Sequence, residues 1–250
     1  MTALQAHQRV AVVTGASSGI GEATAKTLAG LGFHVICVAR REDRVKAVAD
    51  EVGGTAIVAD VTDGAAVDAL AAQLDRVDVL VNNAGGAKGL EPVADADLDN
   101  WRWMWETNVI GTLRVTRALL PKLIASGNGL IVTVTSIAAF EIYDGGAGYT
   151  AAKHGQAALH QPLRGELLGK PVRLTEIAPG MVETEFSLVR FEGDEARADA
   201  VYAGMTPLTG ADVADVIGYV ASLPAHVNLD HIVIRPRDQA TATRKFTRPE

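Results

Sequence analysis

Tyr149 and Lys153 carry the side chains in this sequence that are best suited to moving a proton. Lys153 follows Tyr149 by four positions at the start of a helical pattern, so both side chains lie on one face and can touch. A lysine ammonium stabilises a nearby phenolate and lowers the phenol pKa from about 10 towards the range in which enzymes work. The pair therefore suits proton exchange with a carbonyl oxygen. The alternative is an ordinary half-buried tyrosine beside a lysine in solvent.

Two further polar residues could join this pair. Ser136 ends the fifth strand-like run, thirteen positions before Tyr149, and Asn108 lies in the long helical segment after the fourth run. The carboxyl ends of parallel strands meet at one edge of a sheet, so Ser136 should lie at the same edge as the turn after the first strand. With the tyrosine and lysine, these residues favour hydride transfer to or from a carbonyl carbon.

A glycine-rich turn follows the first strand-like run and leads into a helical pattern at about Gly19. Its sequence, TGASSGIG, occupies residues 14–21. Glycine lets the chain turn tightly and brings backbone N–H groups close to a pyrophosphate, which the N-terminus of the helix favours electrostatically. Many such turns are plain connections, but this position at the first strand-to-helix junction favours a dinucleotide site. The residues assigned to it are Gly15, Ser17, Ser18, Gly19 and Ile20.

The second run ends in Ala39, Arg40 and Arg41. Dinucleotide folds that prefer NAD place an Asp or Glu about 20 residues past the glycines, where it accepts hydrogen bonds from the ribose 2′-hydroxyl. Ala39 cannot accept, whereas two guanidinium groups can bind the 2′-phosphate of NADP through charge-assisted contacts. We therefore predict NADP(H) as the coenzyme. The alternative is that the arginines only solvate the start of a helix, where Glu42 and Asp43 follow.

The third and fourth runs also end in residues that suit a nucleotide. Asp60 and Val61 close the third run, and Asp60 could accept a hydrogen bond from the adenine amino group. Asn83, Ala84 and Gly85 close the fourth, where small side chains let the backbone pass close to adenine and ribose. Such residues also end strands for turn reasons alone. Their order along the chain favours the coenzyme interpretation.

The elements that must carry these residues alternate along the chain. Short runs rich in Val, Ile and Leu recur and are followed by longer segments with apolar residues at helical spacing. The runs are apolar on both faces, as in a parallel sheet that helices cover on both sides. The alternation predicts one doubly wound α/β domain over residues 1–250. The runs span residues 9–14, 33–39, 55–60, 77–82, 129–136, 172–178 and 231–235.

Three stretches depart from this alternation. Residues 97–126 carry a long helical pattern, and residues 181–207 are irregular and are expected to cover the substrate. Residues 239–250 are polar and predict a loosely ordered tail. Pro162 lacks a backbone N–H, so it predicts a kink about two turns past Lys153.

Composition narrows the class of protein. The chain has 250 residues, of which 48% are hydrophobic, and its formal net charge is −7. This charge argues against binding to a nucleic acid or an anionic membrane surface. No apolar run approaches the ~20 residues of a membrane-spanning helix, and the single cysteine, Cys37, excludes an internal disulfide. We therefore expect a soluble, cytoplasmic protein, and the spacing of the histidines predicts no metal site.

These motifs resemble those of the 250-residue branch of the short-chain dehydrogenase/reductase family. Residues 14–21 match the TGxxxGIG motif, residues 82–85 match NNAG, and the four polar residues described first match the Asn-Ser-Tyr-Lys tetrad. Pro179 and Gly180 match the PG pair that follows the sixth strand, and Thr184 matches the usual threonine downstream. The motifs occur in the family's order over most of the chain.

The resemblance implies a Rossmann fold with seven parallel strands in the order 3-2-1-4-5-6-7. It implies that Val182 and Thr184 hold the nicotinamide amide. It also implies a homotetramer, or a homodimer, in which the helices at residues 97–126 and 148–168 pair between subunits.

The resemblance also implies a role for each member of the tetrad. Tyr149 would exchange a proton with the carbonyl oxygen, and Ser136 would orient and polarise that carbonyl. Lys153 would lower the tyrosine pKa and hydrogen-bond the nicotinamide ribose. Asn108 would hold a water that links Lys153 to solvent.

Several segments resemble the NADP-dependent 3-hydroxy acid dehydrogenases, which act on serine or allo-threonine. This resemblance suggests a secondary alcohol or ketone, with a 3-hydroxy acid as the first substrate class. Arg190 could pair with a substrate carboxylate; the alternative is a solvated arginine in a mobile loop. The resembling segments are residues 184–187, 189–194 and 223–228, with Tyr202.

Three residues between Ser136 and Tyr149, namely Phe140, Ile142 and Tyr143, could form an apolar pocket wall or pack under their loop. Two other functions remain as alternatives. A 3-oxoacyl carrier-protein reductase would need a basic rim for its acidic partner, but residues 181–207 are predominantly acidic. A non-catalytic NADP-sensing protein would not need the complete tetrad.

Overall fold

A seven-stranded parallel sheet forms the centre of the computed structural model, which describes residues 8–248. The strands within these residues are β1 (Val10–Thr14), β2 (His34–Ala39), β3 (Thr55–Val58), β4 (Val79–Asn82), β5 (Gly129–Val134), β6 (Val172–Pro179), β7 (Val182–Glu183), β8 (Leu208–Thr209) and β9 (His231–Ile234). Seven of them pair in the order β3-β2-β1-β4-β5-β6-β9, while β7 and β8 pair only with each other. The predicted Rossmann order is confirmed, with β9 as the seventh strand of the sheet.

Helices cover both faces of this sheet. Within the described residues they are α1 (Gly19–Gly30), α2 (Glu42–Val52), α3 (Gly64–Ala72), α4 (Leu98–Trp105), α5 (Gly111–Ala125), α6 (Ala147–Ala157), α7 (His160–Glu166), α8 (Phe186–Arg190), α9 (Glu195–Ala200) and α10 (Gly210–Ser222). Between residues 8 and 248, no helix has the length and apolar composition needed to cross a membrane.

The strand side chains divide between two apolar cores. In β1, Ala11 and Val13 pack into one core with α1, α2 and α10, and Val10 and Val12 pack into the other with α3 and α5. Successive residues of a strand point to opposite faces, so a strand must be apolar throughout when both faces are covered. This is why the runs predicted from the sequence lack polar alternation.

Cys37 in β2 is fully buried in the first of these cores. Burial raises the pKa of its thiol to about 12, because the apolar surroundings disfavour the thiolate. The thiol is therefore protonated at neutral pH and packs as a small apolar side chain.

The long helix predicted over residues 97–126 is continuous but changes its hydrogen-bonding pattern in the middle. α4 ends at Trp105, a π-helical turn covers Glu106–Ile110, and α5 continues from Gly111. A π turn accommodates an extra residue within a helix and is frequent at functional sites. Asn108 lies in this turn.

The helix that carries Tyr149 and Lys153 is interrupted where Pro162 predicts a kink. α6 ends at Ala157, and α7 begins at His160, so that Pro162 lies in the first turn of α7. Proline cannot donate a hydrogen bond to the residue four positions earlier, and a first helical turn tolerates that loss. Tyr149 and Lys153 both lie in α6, before the interruption.

Residues 181–207 are more regular than the sequence suggests. They contain β7, α8 and α9, and β7 pairs with β8, which begins directly after residue 207. We call residues 181–207 the cover segment, as its residues line the cavity described below.

The tail packs against the cover segment instead of being loose. Lys245 Nζ donates to the Val201 carbonyl at 2.6 Å, and the Arg248 N–H donates to the Gly204 carbonyl at 2.8 Å. A polar composition alone does not predict these bonds, because their acceptors are backbone carbonyls more than forty residues earlier. Residues 1–7, 249 and 250 lie outside the described residues.

Candidate active site

A cavity of about 620 Å³ lies at the carboxyl edge of the sheet. It is lined by every residue that the sequence assigns to the coenzyme, from Gly15 to Thr184, and by Ser136, Tyr149 and Lys153. Asn108 is fully buried and does not line the cavity. One space therefore brings together the glycine turn, the arginine pair and three members of the tetrad.

The end of β4 holds the glycine turn in place. Thr14 Oγ1 accepts from the backbone N–H groups of Asn83 and Ala84 at 3.0 Å each, and Asn83 Nδ2 donates to the Thr14 carbonyl at 3.0 Å. Gly15 has φ of 67°, a left-handed conformation that favours glycine. A Cβ on Gly21 would collide with the carbonyl oxygen of Gly15, so the turn requires glycine there too.

The N-terminus of α1 fits the pyrophosphate of a dinucleotide. Its N-cap residue, Ser18, makes no side-chain hydrogen bond to the first turn, so no side chain competes there with an anionic ligand. Gly19, with φ of 56°, lies so close to Thr184 that an added Cβ would come within 3.1 Å of it. The cover segment thus reaches the start of α1, where the coenzyme would bind.

Arg41 forms a polar cluster between the glycine turn and the cover segment. Its Nη2 donates to Ser18 Oγ at 2.7 Å and its Nε donates to Ser17 Oγ at 3.2 Å. Its Nη1 lies 2.8 Å from a carboxylate oxygen of Glu185, and Arg44 Nη1 lies 2.6 Å from the other. Hydrogen bonds from Arg41 and Arg44 hold the pKa of Glu185 below its ordinary value. Arg44 was not assigned from the sequence, although its position three residues after Arg41 could have indicated it.

Arg40 lies beside Asp60 at the rim of the cavity. Arg40 Nη1 is 3.6 Å from Asp60 Oδ2, and Asp60 Oδ1 accepts from the backbone N–H and the hydroxyl of Thr62 at 2.9 and 2.8 Å. One carboxylate oxygen is thus engaged in a turn, and the following residue, Val61, is buried at the cavity wall. The arrangement leaves Arg40 largely exposed, so its guanidinium can meet a phosphate.

The expected nicotinamide residues lie at the other end of the cavity. The Val182 carbonyl accepts from the Tyr202 hydroxyl at 2.9 Å, and Thr184 Oγ1 accepts from the Phe186 N–H at 3.2 Å. The Gly180 N–H donates to the carbonyl of Ile234 in β9 at 2.7 Å, which ties the turn after Pro179 to the sheet.

Tyr149 is buried at the cavity wall, and its surroundings raise the pKa of its phenol. Burial has the largest effect, with a further increase from Tyr143. The Ser136 hydrogen bond and the positive charge of Arg190 act in the opposite direction. The sequence predicts that Lys153 lowers this pKa, and the structure differs: the lysine Nζ lies 5.8 Å from the centre of the tyrosine ring.

Lys153 is buried between the cavity and α5. Its Nζ donates to Gln156 Oε1 at 2.7 Å and to the Val134 carbonyl at 3.3 Å. Burial lowers the pKa of Lys153 to about 7, against a smaller increase from the charge of Glu176. The amine therefore titrates near neutrality, at a pH where it can take part in proton transfer.

Asn108 uses its whole side chain to fix the backbone around it. Its Nδ2 donates to the carbonyls of Gly86 and Met104 at 2.9 and 2.7 Å, and its Oδ1 accepts from the Gly86 N–H at 3.2 Å. Its backbone carbonyl accepts from Thr112 Oγ1 at 2.7 Å. The Asn108 backbone carbonyl is thereby linked to Gln156 and Lys153 through Thr112.

The cover segment brings Arg190 next to Tyr149. Arg190 Nη1 donates to the Tyr143 hydroxyl at 3.1 Å, its Nε donates to the Gly89 carbonyl at 3.0 Å, and its guanidinium carbon lies 5.7 Å from the centre of the Tyr149 ring. The guanidinium is therefore held by protein groups and does not extend freely into solvent. These contacts fix the positive charge of Arg190 beside the Tyr149 phenol.

Of the three residues expected to form an apolar wall, only Tyr143 lines the cavity. Phe140 and Ile142 are exposed, and the Phe140 ring packs edge-on against His231. Trp103 and Gln239 line the cavity without having been assigned from the sequence. Gln239 Oε1 accepts from the Met181 N–H at 2.8 Å, a contact across almost sixty residues that no local pattern could reveal.

Among residues 8–248, no three His, Cys, Asp or Glu side chains come close enough together to hold a metal ion.

Comparison with known proteins gives a consistent result. A model described as "short chain dehydrogenase" matches residues 9–194. The chain is 78% identical over 249 residues to an uncharacterized oxidoreductase of Mycobacterium tuberculosis, covering 100% of this chain and 99% of that protein. It is 43% identical over 241 residues to sulfoacetaldehyde reductase 2 of Chromohalobacter salexigens, covering 92% and 95%. The closed form of serine dehydrogenase complexed with NADP+ superposes with a TM-score of 0.89 at 37% identity, covering 96% and 100%.

Proposed function

Because the chain belongs to the short chain dehydrogenase family and is an oxidoreductase, we propose that it transfers a hydride between NADP(H) and a secondary alcohol or ketone with an anionic group. A 3-hydroxy acid is the first substrate class. The observation that carries this proposal is the position of Arg190, whose guanidinium is held 5.7 Å from the Tyr149 ring in the same cavity. A proton donor and a cation for an anionic group thus face one space.

The names of two relatives support an anionic substrate. Serine carries a carboxylate and sulfoacetaldehyde a sulfonate, and both relatives share more than a third of their residues with this chain. Their reacting groups are a primary alcohol and an aldehyde, so these classes belong beside secondary alcohols and ketones in any test. Arginine suits both anions, because its planar guanidinium donates two parallel hydrogen bonds.

The coenzyme, when bound, supplies the hydride for reduction or accepts it in oxidation. In reduction Tyr149 Oη donates its proton to the carbonyl oxygen, and in oxidation it takes the alcohol proton. The Ser136 hydroxyl orients the carbonyl beside the phenol. The Lys153 ammonium would hold ribose hydroxyls of the bound coenzyme, and the positive charge of Arg190 favours the phenolate that forms when Tyr149 gives up its proton.

The preference for NADP(H) rests on Arg41 and its partners. Two serine hydroxyls and the guanidinium of Arg41 converge where the chain leaves the glycine turn, and Arg40 and Arg44 add positive charge. Ala39 offers no carboxylate to a 2′-hydroxyl and none that would repel a 2′-phosphate.

A substrate panel measured at the nicotinamide absorbance band tests this proposal. The panel pairs 3-hydroxy acids, 3-oxo acids and short sulfonates with uncharged counterparts, and each compound is run with both NADP(H) and NAD(H). We expect turnover of anionic compounds with NADP(H), and values of kcat/KM about tenfold or more lower for the uncharged partners. Equal efficiency for charged and uncharged partners would contradict the assigned substrate class.

The first prediction concerns the proton donor. Tyr149→Phe should lower kcat by about 10²-fold or more, because it removes the hydroxyl that the proposed mechanism uses as the proton donor. Steady-state assays measure kcat, and fluorescence titration measures NADPH affinity. The NADPH affinity of the variant should stay close to that of the wild type. The control is Tyr219→Phe, an exposed tyrosine of α10, which should change neither value. Near-normal turnover of Tyr149→Phe would rule out the mechanism.

We further propose a homo-oligomer, either a homotetramer or a homodimer. Three large apolar side chains of α4 and α5 are exposed to solvent, namely Leu98, Trp105 and Leu113. Monomeric proteins rarely expose large apolar patches, so these side chains favour an interface between subunits. Light scattering after size-exclusion chromatography measures the mass directly, and a monomer at micromolar concentration would contradict the proposal.

A further inference from the structure

Gln156 is a buried polar residue that the proposed mechanism does not use. It lies three positions after Lys153 on α6 and is 1% exposed. Its Oε1 is 2.7 Å from Lys153 Nζ, and its Nε2 is 2.9 Å from Thr112 Oγ1 on α5. Burying an amide is costly unless it is hydrogen-bonded, so these two partners define what the side chain does.

The chemistry of the partners fixes the direction of every bond in this chain of groups. A lysine ammonium only donates, so the amide oxygen of Gln156 must face it, and the amide NH2 must face Thr112. The Thr112 hydroxyl accepts a hydrogen bond from that NH2 and donates one to the Asn108 carbonyl at 2.7 Å. Three successive hydrogen bonds, each donated in the same direction, therefore connect Lys153 to the π-helical turn.

A count of the ammonium protons shows what remains for the reaction. Lys153 has three N–H donors, one of which points to Gln156 and one to the Val134 carbonyl. One N–H is left, and Lys153 lines the cavity. The two occupied donors anchor Nζ from the side of the protein core, so the third is directed towards the coenzyme space.

We propose that Gln156 is a positioning residue that, with Thr112, orients the Lys153 ammonium towards the coenzyme and connects it to the Asn108 backbone. This inference rests on the proposed function, because it assigns Lys153 the role of holding the coenzyme ribose. The Gln156 and Thr112 side chains take the place that the family resemblance gives to a water held by Asn108.

Gln156 also affects the charge of Lys153. An amide oxygen that accepts from an ammonium stabilises the charged form, whereas an apolar side chain leaves burial unopposed. The other titratable groups facing Lys153 are Tyr149 on the same helix and Glu176 on β6, and the charge of Glu176 also raises the pKa of Lys153. Replacing Gln156 should therefore change the pH at which Lys153 loses its proton, with Tyr149 and Glu176 unchanged.

The test is the pH dependence of NADPH binding, measured by fluorescence titration without any substrate. In the wild type we expect affinity to fall as pH rises through the Lys153 transition. Gln156→Met should move that midpoint down by about one pH unit and weaken binding on the order of tenfold at neutral pH. Gln156→Glu should move the midpoint up, because a carboxylate stabilises the ammonium more strongly than an amide does.

Opposite shifts from two substitutions at one position distinguish an electrostatic role from structural damage. Gln161→Met places the same change on the exposed surface of α7 and should leave the profile unchanged. A second pair of variants changes Thr112, the partner of Gln156, and leaves the buried glutamine in place. Thr112→Val should shift the midpoint in the same direction as Gln156→Met, and Thr112→Ser should keep the wild-type profile.

Three results would overturn the inference. Unchanged midpoints in both Gln156 variants would show that the amide does not act through Lys153. Shifts in the same direction for Gln156→Met and Gln156→Glu would indicate general disruption. A wild-type protein that does not bind NADPH would refute the proposed function and this inference with it, whereas a failed substrate panel alongside normal NADPH binding would refute the substrate class alone.

Discussion

At the residue scale, the acid–base pair is set by burial more than by mutual attraction. Tyr149 and Lys153 are both almost fully buried, and burial moves their pKa values in opposite directions, up for the phenol and down for the amine. Both changes favour neutral side chains in a space without a ligand. A positively charged oxidised nicotinamide would oppose the first change and strengthen the second. The coenzyme should thus be part of what prepares the phenol for proton transfer.

The spacing of Tyr149 and Lys153 predicts their shared helix face, because four positions complete about one turn. The same spacing argument cannot predict the contact between Gln156 and Thr112, because Thr112 lies on another helix. The same limit hides the bond from Arg190 to Tyr143, which joins residues 47 positions apart. Local spacing can identify groups that act within one element, but not the neighbours that adjust them.

The second prediction concerns Arg190. Arg190→Gln should raise KM for an anionic substrate about 10- to 100-fold, because the anion loses a charge-assisted partner. The kcat/KM for an uncharged analogue should change little. Steady-state kinetics on a hydroxy acid and its methyl ester give both values, and Arg237→Gln, on an exposed side chain, provides the control. Equal losses for the acid and the ester would point to a role in positioning Tyr149 instead.

The third prediction follows from the lowered pKa of Lys153. From pH 7 to about 10.5 the unfolded chain binds more protons at this position than the folded chain, so the free energy of unfolding rises with pH. Lys153→Met removes this dependence, so its Tm relative to the wild type should be highest below pH 7 and fall as pH rises. Each pKa unit is worth about 1.4 kcal/mol, and 1 kcal/mol corresponds to about 2–4 °C at this size.

Calorimetry of the ligand-free protein at pH 6.5 and 9 would measure this change, which should reach several degrees. Lys170→Met, on the exposed surface, should shift Tm equally at both pH values. The same result for Lys153→Met would mean that its amine keeps an ordinary pKa in the fold.

At the scale of elements, the cover segment and the coenzyme site are joined by Glu185. This carboxylate binds Arg41 and Arg44, the cations that the 2′-phosphate of NADP would also use. A phosphate arriving there must displace the carboxylate or share the arginines with it. We therefore expect coenzyme binding to affect the position of the cover segment through this one side chain.

The fourth prediction concerns this coupling. Glu185→Gln removes a negative charge that competes with the 2′-phosphate, so NADPH affinity should increase about three- to tenfold at low salt, while NADH affinity stays the same. Fluorescence titrations with both coenzymes measure the effect. The control is Glu195→Gln, on the exposed start of α9, which should change neither affinity. A parallel change for NADH would show that the 2′-phosphate is not the group concerned.

Element boundaries could be read from the sequence where one residue type determines them. Pro162 predicts the interruption between α6 and α7, and the apolar runs predict the seven strands of the sheet. The π-helical turn that contains Asn108 could not be predicted, because one added residue changes the helical period only over a few positions. The pairing of β7 with β8 also depends on contacts between distant segments.

At the scale of the whole molecule, three parts of the chain that are distant in sequence meet at one side of the cavity. Gln239 and Ala242 line the cavity, and Glu141 binds both Arg235 and the Ala242 N–H. The tail then bonds to the carbonyls of Val201 and Gly204. We therefore expect substrate choice to depend on these three parts of the chain, and the sheet to act as their scaffold.

The fifth prediction tests the role of the tail. Deleting residues 240–250 should lower Tm by a few degrees and raise KM for the substrate severalfold, because the cover segment loses hydrogen bonds worth about 1 kcal/mol each. NADPH affinity should remain unchanged, since the bonds around Arg41 do not involve the tail. Differential scanning fluorimetry and steady-state kinetics measure these effects. A truncated enzyme with wild-type Tm and KM would show that the tail is dispensable.

The buried thiol has a practical consequence. Cys37 is the only cysteine in the chain, and its raised pKa and full burial keep it unreactive towards maleimides at neutral pH. The native enzyme should therefore not be labelled by maleimides, so a cysteine introduced elsewhere can be labelled specifically without first replacing Cys37. A single cysteine introduced on the exposed surface of α9 could carry a fluorophore there. Its signal would report in real time how the cover segment responds when coenzyme and substrate arrive.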